Sequence, residues 1–119
     1  MGAEVEAMDG VEVLRRMYEQ FNARDMEPLL AIMAPDVEWA NAFEGGHEHG
    51  REAVRAYWMR QWAAFDPHVE PMTIEQTDGA WVCEVHQVVK DLEGKVLFDG
   101  TVEHVFRLED GLVQRFDVR

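Results

Sequence analysis

The hydrophobic period of this chain changes near Asp36, and the change limits the folds open to it. Before that point apolar residues recur at helical spacing: Val11, Leu14, Met17, Tyr18 and Phe21, then Met26, Leu29, Leu30 and Met33. After it, Val37, Trp39 and Asn41 alternate with Glu38 and Ala40, which is the period of a strand. One more helical stripe follows, made of Val54, Tyr57, Trp58, Trp62 and Phe65. From Val69 onward the chain reads as strands, punctuated by Asp78-Gly79, Glu93-Gly94 and Asp110-Gly111. Such pairs favour tight turns between antiparallel strands. The expected order is helix, helix, strand, helix, then four strands joined mostly by hairpins. Helices grouped ahead of a meander predict an α+β chain, with three N-terminal helices packed on a strongly curved, mostly antiparallel sheet.

Local signals set the boundaries. Asp9 caps the first helix, and Glu12 completes a capping box. Pro28 falls in the first turn of the second helix, where its missing N–H is harmless. Pro35 ends that helix by disfavouring helical backbone at the residue before it. The third helix runs from Arg51 to about Phe65. The strands are expected over 69–77, 80–91, 95–109 and 112–119. Residues 1–8 show no period and are expected to form a loose arm, with residues 9–119 as a single domain. A length of 119 residues suits one core.

Charge and composition exclude some functions. A formal net charge of −13 repels a phosphate backbone, so no nucleic-acid partner is expected. No segment approaches the roughly 20 consecutive apolar residues of a membrane helix. The acidic start, MGAEVEAMDG, lacks the basic-then-apolar order of a secretory signal, so the expected location is cytoplasmic. The single cysteine, Cys83, lies in the apolar run WVCEV and reads as a small core residue.

The stretch NAFEGGHEHGREAV poses a choice. His47 and His49, two residues apart, are a common pairing of metal ligands, and Glu84, His86 and His104 are available to complete such a site. The other reading is a loop leading into a helix, with Gly50 supplying backbone freedom and Glu52 favoured in the first turn by the helix dipole.

Four stretches carry a resemblance to a known superfamily. YEQFNARDMEPLLAIMAPDVEW, HGREAVRAYW, TVEHVFRLEDGLV and QRFDVR are similar to the first helices and strand, the start of helix three and the last hairpin of NTF2-like proteins, in particular the SnoaL-like and ketosteroid-isomerase-like branch. The resemblance covers about residues 9 to 119. It implies a cystatin-like cone around a pocket, and it favours the loop and helix start over a metal site at His47 and His49. It also implies a homodimer formed through the sheet.

Residue by residue, the isomerase constellation is not kept. The family's helix-one tyrosine falls on Met17, its catalytic aspartate on Asn41 and its protonated aspartate on His104. Tyr18 lies one residue off, about 100° around the helix. A classical ketosteroid isomerase is therefore not expected. SnoaL-like cyclases pair a histidine on the penultimate strand with an aspartate on the last, and His104 and Asp117 fall near those positions. Simple alternation puts Phe116 and Val118 inward and Asp117 outward, whereas a bulge reverses that. An epoxide-hydrolase relay needs two aspartates about an arginine. Arg115 and Asp117 offer part of it, with Asp99 as a distant second acid.

By this alignment the inward faces carry Trp39 and Asn41, then Glu84 and His86, then His104 and Phe106. A one-residue slip would instead turn Cys83, Val85 and Val89 inward. The implied enzyme does cofactor-free acid–base chemistry, of isomerase, cyclase or lyase type, on a small apolar carbonyl compound. His104 is the expected acid or base, assisted by Asp117 or by Glu84 and His86. Asn41, Trp39, Met17, Tyr18, Trp58 and Phe106 are the expected substrate contacts, and no cofactor or metal is required. The alternative is a non-catalytic ligand-binding or dimerisation module, its pocket closed by Trp39, Phe43 and Trp58.

Overall fold

A computed structural model describes residues 9–119. The expected loose arm, residues 1–8, lies outside the described residues. Helix α1 (Gly10–Ala23) and helix α2 (Met26–Ala31) lead into strand β1 (Met33–Ala40) and a short strand β2 (His47–His49). Helix α3 (Arg51–Ala64) follows, and then strands β3 (Asp66–Thr77), β4 (Ala80–Lys90), β5 (Val96–Glu109) and β6 (Leu112–Val118). The strands form one six-stranded sheet in the order β2-β1-β6-β5-β4-β3. Among the described strands only β1 and β6 pair in parallel, and the other neighbours pair antiparallel. The architecture is α+β, but only two of the three helices precede the sheet, and α3 follows β1 and β2.

The caps and turns form where their residues demand them. The Asp9 carboxylate accepts the Glu12 backbone N–H at 2.9 Å and starts α1. That helix buries Val13, Leu14, Met17, Tyr18 and Phe21. It stops at Arg24, which adopts a left-handed φ of 61° despite its side chain. The guanidinium holds the bend by donating to the Phe21 carbonyl, the Pro67 carbonyl and Asp66. Asp78-Gly79 and Asp110-Gly111 both turn with positive φ at both residues, the mirror-image turn that suits twisted strands.

Several boundaries differ from expectation, among them the start of β3, which begins at Asp66 and not at Val69. Helix α2 ends at Ala31, and Met33 already pairs with Val113 as the first residue of β1. Pro35 therefore lies inside the strand, in the irregular segment between Met33 and Glu38, where no ladder N–H is needed from it. Arg51 donates twice to the Met33 carbonyl, which anchors α3 on this bend. The stretch FEGGHEHG is only partly loop, because His47–His49 pairs antiparallel with β1.

One core cluster fills the space between the helices and the inner face of the sheet. Trp58 and Phe106 are its largest fully buried side chains. Burial of each aromatic side chain contributes on the order of 2 kcal/mol. Among the described residues no helix is long and apolar enough to cross a membrane.

Candidate functional site

The register of β4 against β5 decides what faces inward. Cys83 lies opposite His104 and Val85 opposite Val102, while Glu84 lies opposite Glu103 and His86 opposite Thr101. Directly paired residues share a face. An inward His104 therefore requires an inward Cys83, and it sends Glu84 and His86 to the outer face. Both are exposed, and His86 meets Asp99 there at 2.7 Å. The inward β4 residues are Cys83, Val85, Gln87 and Val89. This corrects the expected face by one residue.

Between this face and the helices lies a cavity of about 80 Å³. Met17 and Tyr18 of α1, Trp39 of β1, and His104 and Phe106 of β5 all line it. Tyr57 and Gln61 of α3, Gln87 of β4 and Phe116 of β6 line it too. Among these described lining residues there is no Asp, Glu, Lys or Arg.

The polar centre of the cavity is His104, which is only 6 % exposed. Its Nδ1 lies 2.8 Å from the Tyr18 hydroxyl. The Phe116 ring meets the imidazole edge-on at 4.8 Å between centroids, and Phe106 does so at 6.2 Å. Burial with no counter-charge disfavours the imidazolium and lowers the pKa of His104 to about 4. The ring is neutral at pH 7. Burial also raises the Tyr18 phenol far above its ordinary value, and the adjacent Cys83 adds to that rise. Burial raises Cys83 itself to about 11, against a smaller opposing effect of Tyr18. At neutral pH all three groups hold their protons or stay uncharged.

Other expected contacts lie elsewhere. Trp58 is fully buried behind Trp39, edge to face at 5.0 Å, and does not line the cavity. Phe43 is 48 % exposed and stacks on Phe65 instead of closing the cavity. Asn41 is buried, but the loop takes up its amide. Its oxygen accepts from the Phe43 and Glu44 backbone N–H groups, and its nitrogen donates to Glu44 and Glu48. It organises the turn into β2, a role that alternation along β1 does not reveal.

Asp117 also faces away from the cavity, because Phe116 and Val118 occupy the inward positions. A register shift lies between Arg107 and Leu108 against β6, and beyond it Phe106 pairs with Phe116. On the outer face Arg115 bridges Asp117 at 2.7 Å and Glu38 at 3.2 Å. His47 meets Asp117 at 2.7 Å, and His49 lies 3.5 Å from Glu38. Burial raises the Asp117 carboxyl, but the hydrogen bonds from Arg115 and His47 together outweigh it, so its pKa lies below the ordinary value. The carboxylate opposite Arg115 is thus Glu38 and not Asp99, and this arginine pair is remote from the cavity. The two histidines of the His-x-His element face different carboxylates. Among the described residues no three His, Cys, Asp or Glu side chains are placed to hold one metal ion.

Sequence reasoning missed Gln87, Tyr57 and Gln61 as lining residues, whereas alternation along the last strand already put Phe116 inward. Gln87 was hidden by the face error on β4. Tyr57 sits on the predicted stripe of α3, where pattern alone does not separate core from cavity wall.

No curated protein matches the chain. Among solved structures, an NTF2-like protein of unknown function from Burkholderia pseudomallei K96243 is 25% identical, with a TM-score of 0.81 over 92% of this chain and 88% of that one. An uncharacterised cystatin-fold protein from Novosphingobium aromaticivorans is 20% identical, with a TM-score of 0.81 over 95% and 99%. A putative polyketide cyclase from Sinorhizobium meliloti is 17% identical, with a TM-score of 0.79 over 91% and 94%. At these identities the last two show the shared fold alone. Residues 14–116, nearly the whole described chain, match the SnoaL-like domain. With the curved sheet, the antiparallel meander and the cavity against helix α1 already in place, that match makes this chain a member of the SnoaL-like family within the NTF2-like superfamily.

Proposed function

We propose that this chain performs cofactor-free proton chemistry, of isomerase, cyclase or lyase type, on a small apolar carbonyl compound held in the cavity. Family membership and the likeness to a putative polyketide cyclase support the coarser statement, a small-molecule-binding or cyclase-type protein. The finer reading is carried by one observation: a buried imidazole is the polar centre of a cavity lined mostly by aromatic and aliphatic groups and by no charged side chain among the described residues. An N–H of His104 on the carbonyl oxygen strengthens its hydrogen bond as negative charge develops there. A neutral imidazole can serve as such an electrophile, as one does in triosephosphate isomerase. The α-carbon's C–H bond breaks, its proton passes to water, and the electron pair moves onto the oxygen that His104 holds.

A second reading, a non-catalytic binding module, is favoured by a separate observation. Asp117, Glu84 and His86 all lie away from His104, and a ring with a pKa of about 4 is a weak base. Hydrogen–deuterium exchange at the α-carbon of a bound ketone in D2O separates the two. Exchange above the solvent rate that disappears in His104→Gln supports the enzyme. Binding with exchange only at the solvent rate supports the module. A homodimer through the outer sheet face is part of the same proposal, and sedimentation at the mass of one chain would remove it.

A further inference from the structure

We propose that Tyr18 is a positioning residue whose hydroxyl donates to Nδ1 of His104, so that the ring presents an N–H at Nε2 to an uncharged, oxygen-bearing ligand. The inference rests on the reading of the cavity as a small-molecule site, and it adds the device that decides which proton the ring carries.

The geometry points to this pairing. The Tyr18 hydroxyl and the His104 Nδ1 are 2.8 Å apart, and both residues are buried. One of these atoms must donate and the other accept. Among the described residues Nε2 has no partner. With Nδ1 held by Tyr18, Nε2 is the ring nitrogen that remains open to the cavity His104 lines.

Two proton arrangements are available. In one, the phenol donates to Nδ1, and Nε2 carries the ring proton. In the other, Nδ1–H donates to the phenol oxygen, and the phenolic proton needs a different acceptor. The neighbour available to it is the Cys83 sulfur, which adjoins the hydroxyl and is a weak acceptor. Both arrangements keep a bond between the two side chains. The phenol is the better donor and the imidazole nitrogen the better acceptor, so O–H···N is the stronger of the two, and in the second arrangement the buried O–H has only sulfur to donate to. The first arrangement therefore holds.

Ligand charge follows from the same walls. The described lining contains no cationic side chain to balance a carboxylate, and the chain carries a net charge of −13. An anion entering the cavity loses its hydration without gaining a counter-ion. A neutral ketone loses little and gains the N–H.

Nitrogen-15 NMR of the His104 ring in the intact chain at pH 7 tests the assignment without any ligand. The expected result is a protonated Nε2 and a bare, hydrogen-bonded Nδ1. In Tyr18→Phe the Nδ1 signal should lose its hydrogen-bonded character. A protonated Nδ1 in the wild-type chain overturns the inference, and so does an Nδ1 signal that Tyr18→Phe leaves unchanged. Binding of a shape-matched set of probes then tests the ligand class: cyclohexanone, methylenecyclohexane and cyclohexanecarboxylate. The ketone should bind about fivefold more tightly than the hydrocarbon, as one net hydrogen bond allows, and the carboxylate most weakly. Equal binding of ketone and hydrocarbon overturns the inference while leaving the cavity a binding site. If no probe binds, the functional reading fails, and the ring spectrum still decides the role of Tyr18.

Discussion

Two polar clusters of this protein use similar residue types to opposite effect. Inside the cavity, His104 meets Tyr18 and aromatic rings and has no carboxylate beside it. On the outer face, His47 meets Asp117, which Arg115 also holds. The Asp117 and Arg115 side chains are each 35 % exposed, so water and salt screen their pairing, and it contributes about 1 kcal/mol or less. The outer cluster satisfies its charges internally and leaves no group free for chemistry. The inner one has a desolvated ring with one nitrogen fixed and one open. A histidine beside an aspartate is the more familiar sequence signal, but here the isolated histidine is the one that lines the cavity.

Substitutions that break this contrast are ordered by expected effect. Phe106→Ala removes a fully buried ring from the inner face and should cost about 3–5 kcal/mol in chemical denaturation. Glu84→Ala, on the outer face of the neighbouring strand, should stay within about 0.5 kcal/mol. A loss from Glu84→Ala comparable to that from Phe106→Ala would reverse the faces of β4.

Acid comes next. The folded His104 has a pKa of about 4, below its ordinary 6.5, so the unfolded chain binds its proton more readily. Stability from this group is full above about pH 6.5 and falls as pH drops toward 4, by about 3 kcal/mol in all. His104→Gln should flatten that part of the stability–pH curve. An unchanged slope would place the ring in contact with solvent.

Tyr18→Phe removes the hydroxyl that faces Nδ1 and should cost about 1–2 kcal/mol, read by thermal or urea unfolding at pH 7. Asp117→Asn should cost less than Tyr18→Phe, about 1 kcal/mol or less, with the difference shrinking in high salt. Because the folded carboxyl lies below its ordinary pKa, its contribution is present at neutral pH and lost as pH falls through the folded value. A salt-independent loss of several kcal/mol would show that the outer cluster is as desolvated as the inner one.

What was legible in the sequence follows the strength of the local signal. The stripes of α1 and α3, the Asp9 cap and the Asp-Gly turns each rest on neighbours along the chain, and they form as the pattern predicts, whereas the stripe of α2 runs past the helix end into Met33 of β1. Strand β2 was not legible, because three residues are too few to show a period and are held by pairing with β1. The face of β4 was misread for another reason. The alignment put Glu84 and His86 inward, although Trp81, Cys83, Val85 and Val89 make the other side the more apolar one. Val82 and Val88 blur the contrast, and pairing with β5 resolves it. The resemblance led to His104, and the register placed Cys83 behind it. The sequence puts Tyr18 among the ligand contacts, but its partnership with His104 spans 86 positions and depends on how α1 lies across the sheet.

The pH titration of the His104 ring, followed by NMR and assigned with His104→Gln, tests the desolvated site most directly. The expected midpoint is near 4, two to three units below an ordinary imidazole. A midpoint at or above about 6.5 would mean a hydrated or counter-charged ring. The cavity would then not be the desolvated site on which the proposed chemistry depends.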